Sequence, residues 1–425
     1  MSTSYARLLI DVQKKSNITI ANVRDIAYLK EDIEAETALV IGYNTLRRLF
    51  GFLNATTPSL VTLNTLAKYL GFSSFTAYRN HYINFDEWYF QQNLQRMLLR
   101  QTLGEAELLQ IKTGLVNSCN LIFLAYFISS LIERNRLNVV VSLFERINFK
   151  TVLDTDFLKF GTILSLCLSN QSEKKAMQFY DALLPFDIFR NNVPLHFIDY
   201  NNLTTRYMRV LNLVKKHTTN PGDLLFVDLM NFYRLFYSCE STLNIDIEKP
   251  REFNSLHPVL CSRYYGYLIL KSEHVNHLIF KEILEMCKAQ PICLFLEEII
   301  PALIFKNETN LLNQLFDLYY EDIFNADFWS SNTMNTLSLI ALASINSETD
   351  NTKSARKNLE LVDLERIELS YENYVTIFYY LIILKISFKD GIKSENKMAL
   401  KKIKALTKFL GFKRFLDVSV KYIIN

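Results

Sequence analysis

A chain of 425 residues is long for one hydrophobic core, so two or three structural units are expected. Apolar residues make up 49% and charged residues 21%, a packed composition that excludes intrinsic disorder. A net charge of +3 excludes a polycation as a whole, and only 10 Gly and 8 Pro exclude a turn-rich β architecture, which makes all-α the expected fold class.

In chain order, the opening "MSTSYARLLIDVQKKSN" has no apolar signal core, and Tyr5 to Lys14 reads as a first helix. A second covers Val23 to Ala35, with Val23, Ile26, Ala27, Leu29 and Ile33 inward. The stretch "GYNTLRRLFGFL", Gly42 to Leu53, puts Leu46, Leu49, Phe50 and Leu53 on an inner face. Its outer face carries Asn44, Arg47 and Arg48, and Gly51 is the stop. "TTPSLVTLNTLAKYLGF" reads as a helix capped by Thr57, with Pro58 as its first residue. Leu60, Leu63, Leu66, Ala67 and Leu70 form its apolar stripe, Gly71 is a left-handed stop, and Phe72 folds back on the last turn. No Asp or Glu occurs from Thr37 to Phe85, a window that holds Arg47, Arg48, Lys68 and Arg79. Just upstream lies the acidic "KEDIEAE".

This order of elements resembles the lambda-repressor-like (XRE-type) helix-turn-helix domains. The matching residues are Asn44-Thr45-Leu46, then Pro58, Thr62-Leu63, Leu66-Ala67 and Leu70-Gly71, and the resemblance covers Ile20 to Phe75. It implies double-stranded DNA as partner, with Tyr43, Asn44 and Arg47 at the groove-facing start of a recognition helix and Arg48 at its backbone-contacting flank. Lys68 completes the candidate nucleic-acid set. The sequence departs from the family in three ways. The usual Gln opening the second helix is absent, the Ile33–Asn44 stretch is long for a tight turn, and Glu31, Asp32, Glu34 and Glu36 would repel phosphates unless they point away. The alternative for this unit is a small helical domain that docks on its own C-terminal body or on a partner.

The stretch "YINFDEWYFQQN" is the expected junction, giving units 1–83 and 84–425 with a further subdivision near 240–258. Beyond it, "NVVVSLFERIN", "KKAMQFYDALLPF", "NLLNQLFDLYYEDIF" and "SARKNLELVDLERIEL" share one helical rhythm between polar breaks. That rhythm resembles divergent tetratricopeptide-type repeats and implies an α-solenoid of antiparallel helix pairs that holds a peptide or protein. An irregular helical array is the alternative. "FDIFRNNVPLHFIDYNNLT" and "CESTLNIDIEKPREFNSLHP", with Pro194, Pro250 and Pro258, are candidate long loops or hinges.

Chemistry-bearing groups are sparse. Cys119, Cys167, Cys239, Cys261, Cys287 and Cys293 form no CxxC pair and suit buried thiols in a reducing cytoplasm. "LIFLAYFISSLI" is too short to span a membrane and reads as a core helix. His274 and His277 stand one helical turn apart without further ligands, so no metal site is expected. Glu297 and Glu298 lie amid apolar residues, where helical geometry would turn at most one of them to the core. No phosphate-binding loop, nucleophile elbow or zinc-protease helix occurs, so neither an enzyme nor a cofactor is expected.

From Lys385 to Lys421 eleven Lys or Arg face three acids, Asp390, Glu395 and Asp417. Lys397, Lys401, Lys404 and Lys408 share one helix face there, opposite Leu400, Ile403, Leu406 and Leu410. That helix ends in "LTKFLGFKRF", an echo of "LAKYLGFSSF", and both phrases read as one helix-capping device used twice. The combination resembles regulators that join a lambda-repressor-like domain to a tetratricopeptide sensor, which implies a cytoplasmic DNA-binding regulator whose helical body would dimerise and respond to a ligand. The alternatives are a protein-interaction scaffold and a helical protein that binds RNA through the basic C-terminus, where the lysine face could equally be the solvated outer face of a terminal capping helix.

Overall fold

The computed structural model describes residues 5–54, 56–82, 86–147, 149, 154–325 and 331–424. Among them every regular element is a helix and no strand occurs, so the fold is all-α. The chain divides into two compact units, residues 1–93 and 94–425. The boundary expected at 83/84 falls on residues outside the described set.

The first unit contains α1 (Ala6–Ser16), α2 (Val23–Thr37), α3 (Tyr43–Leu49), α4 (Leu60–Tyr69) and α5 (Phe75–Tyr82). Asn22 starts α2 by accepting the backbone N–H groups of Arg24 and Asp25, while Asp25 accepts those of Ala21 and Asn22 at 2.8 Å. These backbone donors hold the Asp25 carboxyl below its usual range. Ile26, Leu29 and Ile33 of α2 close on Leu8, Leu46 and Leu66 to form the core.

The start of α4 differs from expectation. Ser59, not Thr57, is the cap: its hydroxyl accepts the Thr62 N–H at 3.2 Å, so Pro58 lies outside the helix. Leu60 therefore sits in the first turn facing solvent, 63% exposed, instead of joining the apolar stripe. The far end behaves as read. Gly71 takes φ +91°, its N–H bonds to the Lys68 carbonyl, and the Phe72 N–H reaches back to Ala67 at 3.0 Å.

In the second unit, "LIFLAYFISSLI" becomes the buried helix Leu121–Glu133. No helix among the described residues is long and apolar enough to cross a membrane. Three of the look-alike stretches are the helices Leu137–Arg146, Glu173–Leu183 and Thr309–Phe324. The fourth breaks after Thr352–Glu360 into a short 3-10 turn, because the Asp363 side chain takes the Glu365 N–H at 3.1 Å and competes with helix continuation.

The first candidate hinge is folded core. It forms the helix Asp187–Asn192 and a turn at Tyr200–Asn202, with Phe189, Val193, Tyr200 and Leu203 fully buried. The second is irregular apart from Phe253–Ser255, yet it is clamped onto the helix Pro258–Lys271. Lys249 donates to Tyr265 at 3.1 Å and Glu282 at 3.2 Å; Lys271 donates to Asp246 and Tyr267, both at 3.0 Å.

Helices Glu372–Lys389 and Lys393–Leu410 form a hairpin that turns at Gly391, φ +71°. This hairpin also packs on the Tyr200–Asn202 turn. The Tyr200 ring stacks on Tyr374 at 4.1 Å, and Tyr237 stacks on Phe412 and Phe415 at 4.9 and 5.3 Å. These contacts join distant parts of the chain, which strict nearest-neighbour stacking does not do. Cys167, Cys261, Cys287 and Cys293 are buried, whereas Cys119 and Cys239 are exposed; all six are free thiols. Burial pushes the Cys261 and Cys293 thiols up to about 11 and Cys287 to about 12.

Candidate functional site

The candidate recognition element, α3, is shorter than the Gly42–Leu53 span suggested. It ends at Leu49, and Gly51 with φ +81° reverses the chain while the Phe52 N–H closes on the Arg47 carbonyl at 2.8 Å. Leu46, fully buried, anchors the helix. Tyr43 is half-buried and donates its hydroxyl to the Val23 carbonyl at 3.0 Å, so it braces α3 against α2 instead of standing free. Arg47 lies over the Tyr43 ring at 5.8 Å and donates to Asn44 Oδ1 at 3.3 Å, while its Nε is enclosed without an acceptor. Asn44 and Arg48 are exposed.

Arg48 also borders an open depression of about 490 Å³ lined by Gly51, Phe52, Leu53 and Asn54. Sequence reasoning assigned Leu53 to the core and missed this feature, because the reversal at Gly51 lifts the segment out of helical register. Lys68 is exposed in the last turn of α4, and no hydrogen bond or ion pair joins it to the α3 residues.

The acids of α2 are mostly bound inside the unit. Asp32 accepts the Tyr69 hydroxyl, and Glu36 pairs with Lys15. Glu34 accepts Lys30 at 2.6 Å and the Ile41 N–H at 3.0 Å, and the Lys30 bond first of all holds its carboxyl below the usual range. Burial, with Asp32 beside it, raises the Tyr69 phenol. Glu31 is left exposed on the helix surface.

In the second unit, Lys397, Lys401, Lys404 and Lys408 all lie exposed on Lys393–Leu410, while Ile403 and Leu410 are buried and Leu400 and Leu406 half-buried. Among the described residues, two of the eleven basic residues of this region make internal ion pairs, and Arg414 lies over the Phe236 ring at 4.2 Å. Lys385 is buried and pairs with Glu348, and Lys389 pairs with Asp350 at 2.9 Å. His274 and His277 do not share a helix face: His277 opens the helix His277–Ala289, and His274 precedes it in a bend. No cluster of metal-ligating side chains occurs among the described residues.

Glu297 and Glu298 correct the sequence reading outright, since both are buried, at 3% and 0% exposure. One helix cannot turn neighbours inward together, but these two occupy the joint between Ile292–Leu296 and Ile299–Lys306. Glu298 receives the Tyr200 hydroxyl at 2.9 Å, the Tyr371 hydroxyl at 2.8 Å and the Arg263 guanidinium, and its own N–H donates to Ser262 at 2.9 Å. Arg263, only 1% exposed, also lies over the Phe226 ring at 5.3 Å. Burial raises the Tyr200 and Tyr371 phenols, the Glu298 charge adding to it. A lone Arg in "PVLCSRYYGYLILK" and a Glu pair in "LFLEEIIPALIF", both otherwise apolar, were the sequence signal for this pair. Glu368 is pushed up to about 8, first by burial and then by the charge of Glu297. Arg263, Glu297 and Glu298 are closed to solvent, and Glu368 is half-buried at their edge.

The geometry therefore defines an all-α protein with a small helical unit and a larger helical body. Comparison with protein-family models, with curated proteins and with solved structures found no match.

Proposed function

We propose that the protein is a DNA-binding regulator. The first unit reads duplex DNA through α3. The helical body, built of helix pairs that also pack across distant parts of the chain, senses a peptide or protein, and two copies act together on paired half-sites. The placement of charge around α3 carries this reading. Asn44 and Arg48 are exposed, Arg47 is pre-oriented by Tyr43 and Asn44, and three of the four acids before it are engaged within the unit. A surface of that kind attracts phosphate and offers side chains to base edges.

Fluorescence anisotropy with a pool of duplex DNA fragments, at low and physiological salt, tests it. Changing Arg47 and Arg48 together to Ala is expected to weaken binding roughly tenfold or more and to flatten its salt dependence by about two contacts. No duplex binding at either salt, or binding indifferent to the double change, defeats the proposal.

A second reading, an interaction scaffold, is favoured by one observation. The depression at Phe52 and Leu53 lies in a unit that also exposes Val40, Leu60 and Val61, at 88%, 63% and 75%. Apolar surface suits a protein partner better than a phosphate backbone. A partner that is recovered after nuclease treatment and lost on changing Leu60 and Val61 to Ser would establish it. Retention of that partner by the variant would remove it.

A further inference from the structure

The helix Lys393–Leu410 carries an electropositive surface that the reading above does not use. Ala399, Ile403, Thr407 and Leu410 seat it in the body. On the solvent side Lys397, Lys401, Lys404 and Lys408 follow each other at intervals of four, three and four residues. At about 1.5 Å per residue they form a line of roughly 16 Å with neighbours about 5–6 Å apart. The acids closest in sequence are occupied. Arg356 takes Glu395 through two bonds of 3.1 and 2.8 Å and Asp390 through a third of 2.8 Å. None of the four lysines makes an ion pair among the described residues. Four like charges held in a row without counter-ions raise the local potential and bind polyanions with counterion release.

Beside this row runs a second with the same spacing: Met398, Lys402, Ala405 and Phe409. Phe409 is 63% exposed and Met398 41%. Most of the Phe409 ring thus faces solvent beside a line of cations.

We infer that this helix binds single-stranded nucleic acid, the lysine row following the phosphates and the Phe409 ring stacking on a base. The cations lie along one line, the geometry of a linear polyanion, whereas an anionic bilayer is met by charge spread over a plane. Lysine contacts phosphate as a point charge without bidentate readout, and an aromatic face stacks on any base, so the binding is expected to tolerate sequence.

The test is anisotropy of fluorescein-labelled oligo(dT) and oligo(U) with the full-length protein over a series of salt concentrations. Four phosphate contacts give a slope of log affinity against log salt near −3, taking about −0.7 per contact for a single strand. Lys401→Ala with Lys404→Ala halves that slope. Phe409→Ala leaves the slope unchanged and weakens binding about 5- to 150-fold. The lysine pair lowers the slope by the same amount whether or not Arg47 and Arg48 are also changed to Ala, which separates this surface from the duplex reading. Absence of binding at low salt, or a slope indifferent to the lysine pair, overturns the inference. Cosedimentation with phosphatidylserine vesicles that depends on the same lysines, without oligonucleotide binding, overturns it in favour of a membrane surface.

Discussion

The charge pair between Arg263 and Glu298 offers the sharpest test of how the body is held together. Both side chains are almost completely removed from solvent, so changing either one to Met leaves the other as a buried, uncompensated charge. That situation costs about 3–5 kcal/mol. Changing both removes the charge problem, but the Tyr200 and Tyr371 hydroxyls then lose the carboxylate they donate to. Two orphaned hydroxyls amount to about 3 kcal/mol together. The Glu298 change alone already carries that hydroxyl cost, so the single changes sum to about 9 kcal/mol or more while the double change costs about 3 kcal/mol, a coupling of about 6 kcal/mol. Urea unfolding followed by far-ultraviolet circular dichroism, on wild type, both single variants and the double variant, reads this coupling directly. If the two single costs simply add in the double variant, the two groups do not depend on one another and the account of this core is wrong.

Gly161→Ala should be among the most damaging small substitutions, because a Cβ there would lie 1.7 Å from the Asn192 carbonyl oxygen, which is backbone and cannot rotate away; a loss of about 3 kcal/mol or more is expected in the same urea assay. The two capping glycines should differ: Gly71→Ala costs about 1–2 kcal/mol for its left-handed backbone alone, whereas Gly411→Ala also drives a methyl to 2.7 Å from Thr204 Oγ1 and should cost measurably more. Glu368, raised from 4.5 to about 8, contributes stability that is intact below about 4.5 and is lost as pH climbs through 8, so Glu368→Gln should gain on wild type in urea midpoint between pH 5 and 9; equal midpoints throughout that range contradict the assigned environment. His196 acts with the opposite sign, since burial first and His257 second lower it from 6.5 to about 4, and its contribution is lost as pH falls through that interval; a His196→Gln variant should lose less stability than wild type over it.

Helical periodicity and scarce Gly and Pro made the class of fold legible, and the left-handed stops at Gly71 and Gly411 were readable residue by residue. What failed to read was whatever depended on partners far away in sequence. Nothing local to Tyr43 announces that its hydroxyl will be taken by Val23. Nothing local to Glu297 announces that a helix joint will turn it inward together with Glu298. The Asp187–Asn192 region looks like a loop by composition, because Asn, Asp and Pro are common in turns, yet buried Arg190 finds Asp223 at 2.9 Å and the segment becomes core. The candidate binding residues were legible as exposed helix positions where charge alternates with apolar spacing, as for Arg48 and the four lysines. They were illegible where a side chain serves its own unit, as for Tyr43.

The contact of Thr204 with the Leu410 carbonyl, at 3.0 Å across 206 residues, has a consequence for how the chain is made. Tyr200 leaves the ribosome long before Tyr374, and Tyr237 long before Phe412 and Phe415, the rings that complete their packing. At about 5–20 residues per second, the half-built tyrosine cluster waits on the order of 10–40 s for those rings to arrive. During that interval the nascent body presents a wet aromatic face to everything around it, so slowing translation between these segments should lower the yield of folded protein more than slowing it anywhere after Phe415.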